Sequence, residues 1–342
     1  MKTLVGLQNI LLFITNKCNL KCSYCYVCQG KDIMPFDVAK NAIDNIDNGT
    51  VVDFFGGEAL LELPLLNQIV DYAKEQDRKL VFQLFSNGTR YDDEVKALIK
   101  KGVNIGISFD GVSMNDRTHN NELSELILNN AKNIKKDRPN LGVKVAITPQ
   151  NIDQLVKNVQ YIYSEGFNFI SHFILRENVW DANSIDLYKK RINELMDWYI
   201  PNINNVKLDH FDGYLVGSKR RTGCWAGCDG VAINFNGDLY PCQRFLTNGS
   251  PFIIGTIDTG IVNKSFQKYD ISKFVGCSTC SSFNKCNNVC IASQWENGVM
   301  FKPISCVCQI TNITYDVVKK LEPYQEFIED RLLKLHAGKL IK

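Results

Sequence analysis

The sequence predicts an α/β protein in which a parallel sheet covered by helices is followed by a separate cysteine-rich region. From residue 10 to about 200, short β-branched or aromatic runs alternate with longer amphipathic segments, and this alternation implies parallel strands with helices outside. Beyond residue 220 the alternation gives way to closely spaced cysteines. A closing helical segment is predicted from about residue 311 to 335, because apolar residues recur there at helical spacing.

The alternating region contains six candidate strands. They are Leu11–Thr15, Val51–Phe55, Leu80–Phe85, Asn104–Phe109, Gly142–Ile147 and Phe169–Ile174. Helices are predicted between them at Leu65–Glu75, Asp93–Lys101, Leu123–Lys136 and Ile152–Glu165. Prolines close to the helix starts and glycines after the helix ends agree with these bounds. Functional residues are then expected at the carboxyl ends of the strands.

The composition excludes several classes of protein. The 342 residues carry 39 Lys and Arg against 37 Asp and Glu, a net charge of +2 without a basic stripe, so neither nucleic acid nor an anionic membrane is indicated as a partner. No apolar run reaches the roughly 18 residues that span a bilayer. Thirteen cysteines without a secretory signal predict a reducing, cytoplasmic location. With only four histidines, metal ligation must rest on thiolates.

Three cysteines directly after the first predicted strand form the most informative motif. Cys18, Cys22 and Cys25 have the spacing C-x3-C-x2-C, with Tyr24 between the last two. A [4Fe–4S] cluster ordinarily takes four thiolates, so a loop that supplies three leaves one iron open to a small molecule. The alternatives are a zinc knuckle or a structural four-cysteine cluster that borrows a ligand such as Cys28. The strand before the loop and the motifs after it favour the open, catalytic cluster.

This motif resembles that of the radical S-adenosylmethionine (radical SAM) enzymes. The resemblance implies an enzyme whose open iron chelates S-adenosylmethionine and whose cluster cleaves it to a 5′-deoxyadenosyl radical, which abstracts a hydrogen from the substrate. It also implies that the six strand–helix units form an open (βα)6 partial TIM barrel. The expected electron donor is a protein such as flavodoxin or ferredoxin.

The resemblance extends to short motifs at the strand ends and assigns nine residues to S-adenosylmethionine binding. They are Tyr24, Gly56, Gly57, Glu58, Ser86, Asn87, Ser108, Asp110 and Arg117. The Gly-Gly-Glu stretch at 56–58 resembles the family motif that receives the amino group of the cofactor, although Ala59 replaces the usual proline. Ordinary tight turns are the alternative for the Gly-Gly pair and for Asp110-Gly111.

The C-terminal third carries a second cysteine pattern. It resembles the SPASM extension of radical SAM enzymes, which implies two auxiliary [4Fe–4S] clusters and therefore three clusters in all. By that resemblance the first auxiliary cluster is held by Cys224, Cys228, Cys242 and Cys290, and the second by Cys277, Cys280, Cys286 and Cys308. A pair of zinc ribbons is the alternative. The predicted domains are a radical SAM partial barrel at 1–215, a SPASM domain at 216–310 and a C-terminal helical tail at 311–342.

The SPASM resemblance makes a peptide or protein the expected substrate. The implied reaction is maturation of a ribosomally made peptide by a thioether or C–C cross-link or by epimerisation. Many such maturases carry an N-terminal module that grips a leader peptide, whereas the cysteine loop of this chain begins by residue 18. A separate leader-binding protein is therefore a candidate partner.

Two other functions stay open at this point. An anaerobic sulfatase-maturing enzyme, which forms formylglycine, has an aspartate base after the cysteine that matches Cys242. This chain has Gln243 at that position, which cannot act as a base, so Asp212 or Asp229 would have to replace it. A non-catalytic iron–sulfur electron carrier is the alternative from another class.

Two cysteines, Cys28 and Cys306, lie outside all three ligand sets. Cys306 is a candidate hydrogen-atom donor to a substrate radical, as in peptide epimerases of this family, or a replacement for Cys308 as a ligand. Cys28 is expected to pack as a small apolar residue, the commoner fate of a lone cysteine.

Overall fold

The computed structural model describes residues 2–175, 180–216, 225–246, 251–266, 274, 276–283, 286, 290–299 and 302–340, apart from the side chains of residues 115 and 336–340. The chain forms two compact units. The first contains residues 1–108, 115–141 and 225–269, and the second contains residues 109–114, 142–224 and 270–342. The domain boundaries at 215 and 310 stay a prediction.

The strands of the described residues are, in chain order, β1 (Asn9–Thr15), β2 (Val51–Gly56), β3 (Val81–Ser86), β4 (Asn104–Ser108), β5 (Gly142–Ile147), β6 (Phe169–Ile174), β7 (Lys207–Leu208), β8 (Gly230–Ile233), β9 (Asp238–Tyr240), β10 (Gly255–Thr256) and β11 (Gly260–Ile261).

The α-helices of the same residues are α1 (Phe36–Asn45), α2 (Leu63–Glu75), α3 (Asp93–Lys100), α4 (Asn115–Thr118), α5 (Asn121–Asp137), α6 (Leu155–Ser164), α7 (Ala182–Asn202), α8 (Asp209–Val216), α9 (Gln243–Leu246), α10 (Ile291–Glu296), α11 (Ser305–Val318) and α12 (Gln325–Leu340). Short 3-10 turns cover Ala59–Glu62, Gly111–Ser113, Ile152–Gln154 and Lys319–Tyr324.

The first unit is built on a sheet with a parallel centre. Strands β8, β1, β2, β3 and β4 are parallel neighbours in that order, and β9, β10 and β11 extend the sheet beyond β8 by antiparallel pairing. Strand β1 is buried from Ile10 to Thr15, as expected for a parallel strand that is covered on both faces. Its pairing with β2 places Thr15 beside Gly56, so the carboxyl ends of the two strands meet at one edge.

The second unit carries the parallel strands β5, β6 and β7 in that order, with α6, α7, α8, α11 and α12 packed in the same unit. The C-terminal helix α12 is tied to this unit through Arg331. Its guanidinium donates to Asp212 Oδ2 at 2.7 Å and to Tyr199 Oη at 2.7 Å. Tyr199 Oη in turn donates to Asp212 Oδ1 at 2.8 Å. Burial raises the pKa of the Asp212 carboxyl, and the Arg331 cation opposes that rise.

A second buried polar group of this unit is His172 on β6. Its ring lies 4.6 Å from that of His210 and 5.0 Å from that of Phe211, between centroids. Neither ring nitrogen of His172 has a hydrogen-bond partner among the described residues. Burial, and then the proximity of His210, lowers the pKa of His172 well below its usual value, so the native state holds a neutral imidazole.

The six predicted strands are confirmed as β1 to β6, with ends that differ by at most two residues. The predicted helices are confirmed as α2, α3, α5 and α6, the last preceded by a 3-10 turn over Ile152–Gln154. The closing segment begins earlier than predicted, because α11 already starts at Ser305 and therefore carries Cys306 and Cys308 on its first turn. Closure of the strands into a partial barrel stays a prediction. No helix in the described part of the chain is long and apolar enough to cross a membrane.

Candidate active site

The three-cysteine loop leaves the carboxyl end of β1 in the first unit. Cys18 and Cys22 are half-buried and Cys25 is exposed. The backbone N–H of Leu20 donates to Cys18 Sγ at 3.4 Å, and the N–H of Cys25 donates to the carbonyl oxygen of Cys22 at 3.1 Å. Burial raises the pKa of the Cys18 thiol, so a thiolate there needs a cationic partner. Among the described residues, no three side chains of Cys, His, Asp or Glu already stand in metal-binding geometry. The donor set of three thiols on one short loop nevertheless fits an iron–sulfur cluster by its chemistry.

The Gly-Gly-Glu stretch at the end of β2 is hydrogen-bonded to the backbone at the start of this loop. The N–H of Gly57 donates to the carbonyl oxygen of Thr15, and the N–H of Glu58 donates to that of Lys17, each at 2.8 Å. A Cβ on Gly57 would overlap the Lys17 carbonyl oxygen and lie 2.9 Å from Cys18 Cβ. Neither glycine has a positive φ. Glycine is therefore required here by close backbone approach and not by turn geometry.

The Glu58 carboxylate is buried and joins the ends of β2 and β3. Its Oε2 accepts from the N–H of Asn87 at 2.6 Å, and its Oε1 accepts from the N–H of Leu60 at 3.1 Å. Burial raises the pKa of Glu58, while these backbone donors, Ser86 and the Arg117 charge lower it. The predicted cofactor residue thus also holds the loop after β3 in place.

Asn87 links that loop to the cysteines. Its Nδ2 donates to Asn19 Oδ1 at 2.8 Å and lies 3.8 Å from Cys18 Sγ, and its Oδ1 accepts from the N–H of Thr89 at 3.0 Å. Asn19 Nδ2 donates to Thr89 Oγ1 at 2.8 Å. Asn19 and Thr89 were not predicted from the sequence, because their role depends on a contact across about 70 positions of the chain.

Arg117 on α4 also contacts the cysteine loop. It is buried, its guanidinium carbon lies 5.6 Å from the centroid of the Tyr24 ring, and its Nη1 is 4.0 Å from Cys22 Sγ. The N–H of Ser23 donates to the carbonyl oxygen of Asp116 at 2.8 Å, so the backbones of α4 and the loop are also joined. The structure therefore brings Tyr24, Glu58 and Arg117, which lie far apart in sequence, to one set of thiols.

Ser86, Ser108 and Asp110 complete the predicted cofactor set. Ser86 at the end of β3 is buried and accepts from the N–H of Gly88 at 3.0 Å, and Ser108 ends β4. Asp110 belongs to the second unit. It is fully buried, and its Oδ1 accepts from the N–H of Ala146 on β5 at 2.9 Å. Its observed contact is therefore structural, and its assignment to the cofactor stays a prediction.

Two cysteines of the first predicted auxiliary set lie in adjacent turns of the first unit. The N–H of Gly227 donates to the carbonyl oxygen of Pro241 at 3.1 Å, which places the turn of Cys228 beside that of Cys242. Both thiols are half-buried. Of the other two members, Cys290 belongs to the second unit and Cys224 lies outside the described residues.

The second unit contains a cavity whose wall holds five thiols. They belong to Cys277, Cys280, Cys286, Cys290 and Cys308. Four of them form the complete second auxiliary set, and so many sulfur donors around one cavity fit a thiolate-ligated cluster. Cys290, which was predicted for the first set, also caps α10 by accepting from the N–H of Ser293 at 3.5 Å.

The two cysteines of α11 differ in position. Cys308 lines this cavity and Cys306 does not. Desolvation at the cavity wall, and then the neighbouring thiols, raise the pKa of Cys308 to about 11, although the residue as a whole is exposed. The sequence did not indicate that Cys306 and Cys308, which are two residues apart, have different surroundings.

Comparison with known proteins places this geometry in a family. The model of the Radical SAM superfamily matches residues 12–187, just over half of the chain. The uncharacterized protein MJ0907 of Methanocaldococcus jannaschii is 30% identical over 256 residues, which cover 69% of this chain and 85% of that protein.

Two further relatives have names that state an activity. A cysteine-type anaerobic sulfatase-maturating enzyme of Clostridium novyi is 20% identical over 83% of this chain and 87% of its own length. The radical SAM cyclopropyl synthase TigE of Paramaledivibacter caminithermalis is 22% identical over 84% of this chain and 68% of its own length.

Two solved structures share the fold. Native anSMEcpe with bound AdoMet and Cp18Cys peptide has a TM-score of 0.76 at 20% identity and covers 95% of this chain and 99% of its own. Streptococcus suis SuiB bound to the precursor peptide SuiA has a TM-score of 0.65 at 16% identity and covers 89% of this chain and 76% of its own.

Proposed function

Because this chain belongs to the radical SAM superfamily, we propose that it is a maturase that modifies a peptide or protein. Members of the superfamily are enzymes that use a [4Fe–4S] cluster and S-adenosylmethionine. When bound, these groups supply a 5′-deoxyadenosyl radical that abstracts a hydrogen atom. The observation that carries the proposal is the loop of Cys18, Cys22 and Cys25, which contacts both the Gly-Gly-Glu stretch and Arg117.

The residues of this chain have separate tasks in that chemistry. The three thiols would hold the cluster, and Gly57 and Glu58 fix the backbone of their loop through its carbonyl oxygens. Arg117 is the buried cation beside the thiols. A cluster with three thiolates and a nearby carboxylate is anionic, so a buried guanidinium lowers the cost of that charge.

Substrate class is inferred from the relatives. Two relatives are named as a sulfatase-maturating enzyme and a cyclopropyl synthase, and two similar structures contain a Cp18Cys peptide and the precursor peptide SuiA. A peptide or protein is therefore the proposed substrate of this chain. The proposed outcome is a thioether or C–C cross-link, or epimerisation.

Formylglycine formation is the second candidate, because the sulfatase-maturating enzyme matches almost the whole chain in fold. Against it stands Gln243, which cannot accept a proton in the way that a carboxylate does. Asp212 does not replace it as a base, since its two oxygens accept from Tyr199 and Arg331 and its side chain is fully buried.

Three clusters are proposed from eleven cysteines. Eight of these thiols lie in the C-terminal third, and the five-thiol cavity supports a cluster site there. The auxiliary clusters would take up the electron that remains after hydrogen abstraction or bind a substrate thiolate. A flavodoxin or ferredoxin is the proposed source of the first electron, and a separate leader-binding protein is a proposed partner.

The cluster assignment is tested by iron content after anaerobic reconstitution. The wild-type chain should hold about twelve irons and form 5′-deoxyadenosine from S-adenosylmethionine with dithionite. Replacement of Cys18, Cys22 and Cys25 together by Ala should abolish that product and leave roughly eight irons. Cys28→Ala, an exposed thiol on the same loop, is the matched control and should behave as wild type.

Two results would count against the proposal. Retained cleavage of S-adenosylmethionine in the triple variant would contradict the assignment of the cysteine loop as the catalytic cluster site. The electron-carrier alternative predicts no 5′-deoxyadenosine from any form of the protein. About four irons in the wild-type chain, or bound zinc, would contradict the assignment of two auxiliary clusters.

The reaction is tested with a mixture of synthetic peptides that each carry one cysteine. Loss of two hydrogens indicates a cross-link, solvent deuterium at an α-carbon indicates epimerisation, and an aldehyde that reacts with hydrazine indicates formylglycine. An unmodified mixture, together with active S-adenosylmethionine cleavage, would contradict a peptide substrate of this kind.

A further inference from the structure

Gln243 is the first residue of α9. Its side-chain oxygen Oε1 is buried and has no hydrogen-bond partner among the described residues. A buried amide oxygen without a donor is costly, and native proteins seldom retain one without a use. The Gln243 oxygen is therefore a candidate acceptor for a group that is not part of the chain.

The surroundings of Gln243 locate this acceptor beside the proposed active site, within the first unit. Gln243 directly follows Cys242. The guanidinium carbon of the next residue, Arg244, lies 5.4 Å from the ring centroid of Tyr26. Tyr26 directly follows Cys25 of the catalytic loop. The start of α9 thus packs against the loop that carries Cys18, Cys22 and Cys25.

Aromatic side chains connect Tyr26 to the first two strands of the sheet. The Tyr26 ring stacks on Phe55 of β2 at 6.4 Å between centroids, and Phe55 lies 5.8 Å from Phe13 of β1. The two strands end at the cysteine loop and at the Gly-Gly-Glu stretch. Gln243 therefore belongs to the same end of the sheet as the residues that would carry the chemistry.

The chemistry of the missing partner follows from the acceptor. An amide oxygen accepts N–H or O–H donors and exchanges no proton at neutral pH. A peptide offers one kind of donor regardless of its sequence, the backbone N–H. The backbone N–H is therefore the donor that an acceptor at this position can meet in any peptide substrate.

We propose that Gln243 is a substrate-binding residue whose Oε1 accepts a hydrogen bond from a backbone N–H of the bound peptide. This inference rests on the proposed function as a peptide maturase. It assigns a positioning task to the position at which a sulfatase-maturing enzyme has a base. Peptide affinity then depends on residue 243, whereas the cleavage of S-adenosylmethionine does not.

The test compares steady-state kinetics of reconstituted variants on a single-cysteine peptide that the wild-type enzyme modifies. Gln243→Ala should raise KM for that peptide about tenfold and leave kcat within about twofold, because one hydrogen bond in the bound state is lost. Gln243→Glu keeps an oxygen at the same reach and should recover most of the loss. Gln68→Ala, an exposed glutamine on α2, is the control and should change neither constant.

Backbone N-methylation of the same peptide identifies the donor. In the wild-type enzyme, one methylated position should weaken binding about tenfold, measured by fluorescence anisotropy of labelled peptide. The same peptide should lose no further affinity in Gln243→Ala, because the bond is already absent. Iron content and peptide-free 5′-deoxyadenosine formation check that each variant holds its clusters, and Gln243→Asn replaces the alanine variant if that one does not.

An unchanged KM in Gln243→Ala would overturn the inference. The inference would also be overturned if, at every methylated position, the loss of peptide affinity in Gln243→Ala were added to the loss caused by N-methylation. The Gln243 oxygen would then bind water or a side chain and not a backbone N–H. Failure of the proposed function looks different, because the wild-type enzyme itself would then modify no peptide.

Discussion

Gly57→Ala should remove the catalytic cluster without unfolding the chain. The added methyl group overlaps the Lys17 carbonyl oxygen and lies 2.9 Å from Cys18 Cβ, whereas ordinary contacts begin near 3.4 Å. The loop must therefore move by at least about 0.5 Å. Ligand distances in metal sites tolerate only about 0.2 Å.

The energetic cost of this substitution is smaller than the stability of a folded domain. Overpacking costs typically about 1–3 kcal/mol, and two weakened backbone hydrogen bonds add about 1 kcal/mol each. A domain is stable by about 5–15 kcal/mol, so the fold survives while the geometry of the thiols does not. The expected result is roughly eight irons per chain and no 5′-deoxyadenosine.

Iron analysis, absorbance of the reconstituted protein and product chromatography measure the effect of Gly57→Ala. Gly213→Ala is the control, because a Cβ there meets no atom within 4 Å and Gly213 lies inside α8, where alanine is favoured. Full iron content and wild-type product formation in Gly57→Ala would refute the close-approach argument.

Three further predictions concern the second unit. Arg331→Met should lower the free energy of unfolding by about 3–5 kcal/mol by leaving the Asp212 charge buried and unpaired. Adding Asp212→Asn should recover part of that loss in thermal denaturation, and an equally unstable double variant would contradict the pairing. The pKa of His172 is lower in the native state than in the unfolded state, so the wild-type chain should lose about 1.4 kcal/mol of stability when the pH falls one unit below about 6.5. His172→Phe should remove that loss in denaturant titrations, and parallel pH profiles would speak against it. Cys308→Ala should cost up to about four irons and Cys306→Ala none, and the opposite pattern would exchange the two assignments.

Strands were the most predictable part of the fold. Central parallel strands are buried on both faces, so they appear in the sequence as continuous apolar runs such as Ile10 to Ile14. The two- to four-residue strands β7 to β11 carry too few side chains to show a period. The start of α11 was missed because Cys308 was assigned to the second auxiliary cluster and residues up to 310 were therefore placed in the SPASM domain.

The candidate site shows the same division between local and long-range information. Cysteine spacing is local and indicated the three thiols directly. The ties that hold them are not local, since Asn87 meets Asn19 across 68 positions and Arg117 meets Cys22 across 95. Such contacts depend on strand order in the sheet, which no short motif encodes.

Arg117, which the resemblance assigned to cofactor binding, also has an electrostatic role beside the cysteine loop. The resemblance assigned it to the carboxylate of S-adenosylmethionine, and the structure places its buried cation beside Cys22, Tyr24 and Glu58. A buried cation is stabilised by nearby anions, and the Glu58 carboxylate and ionised thiols at this loop would supply such charge. Lysine would supply the same charge but not the planar group that lies against the Tyr24 ring.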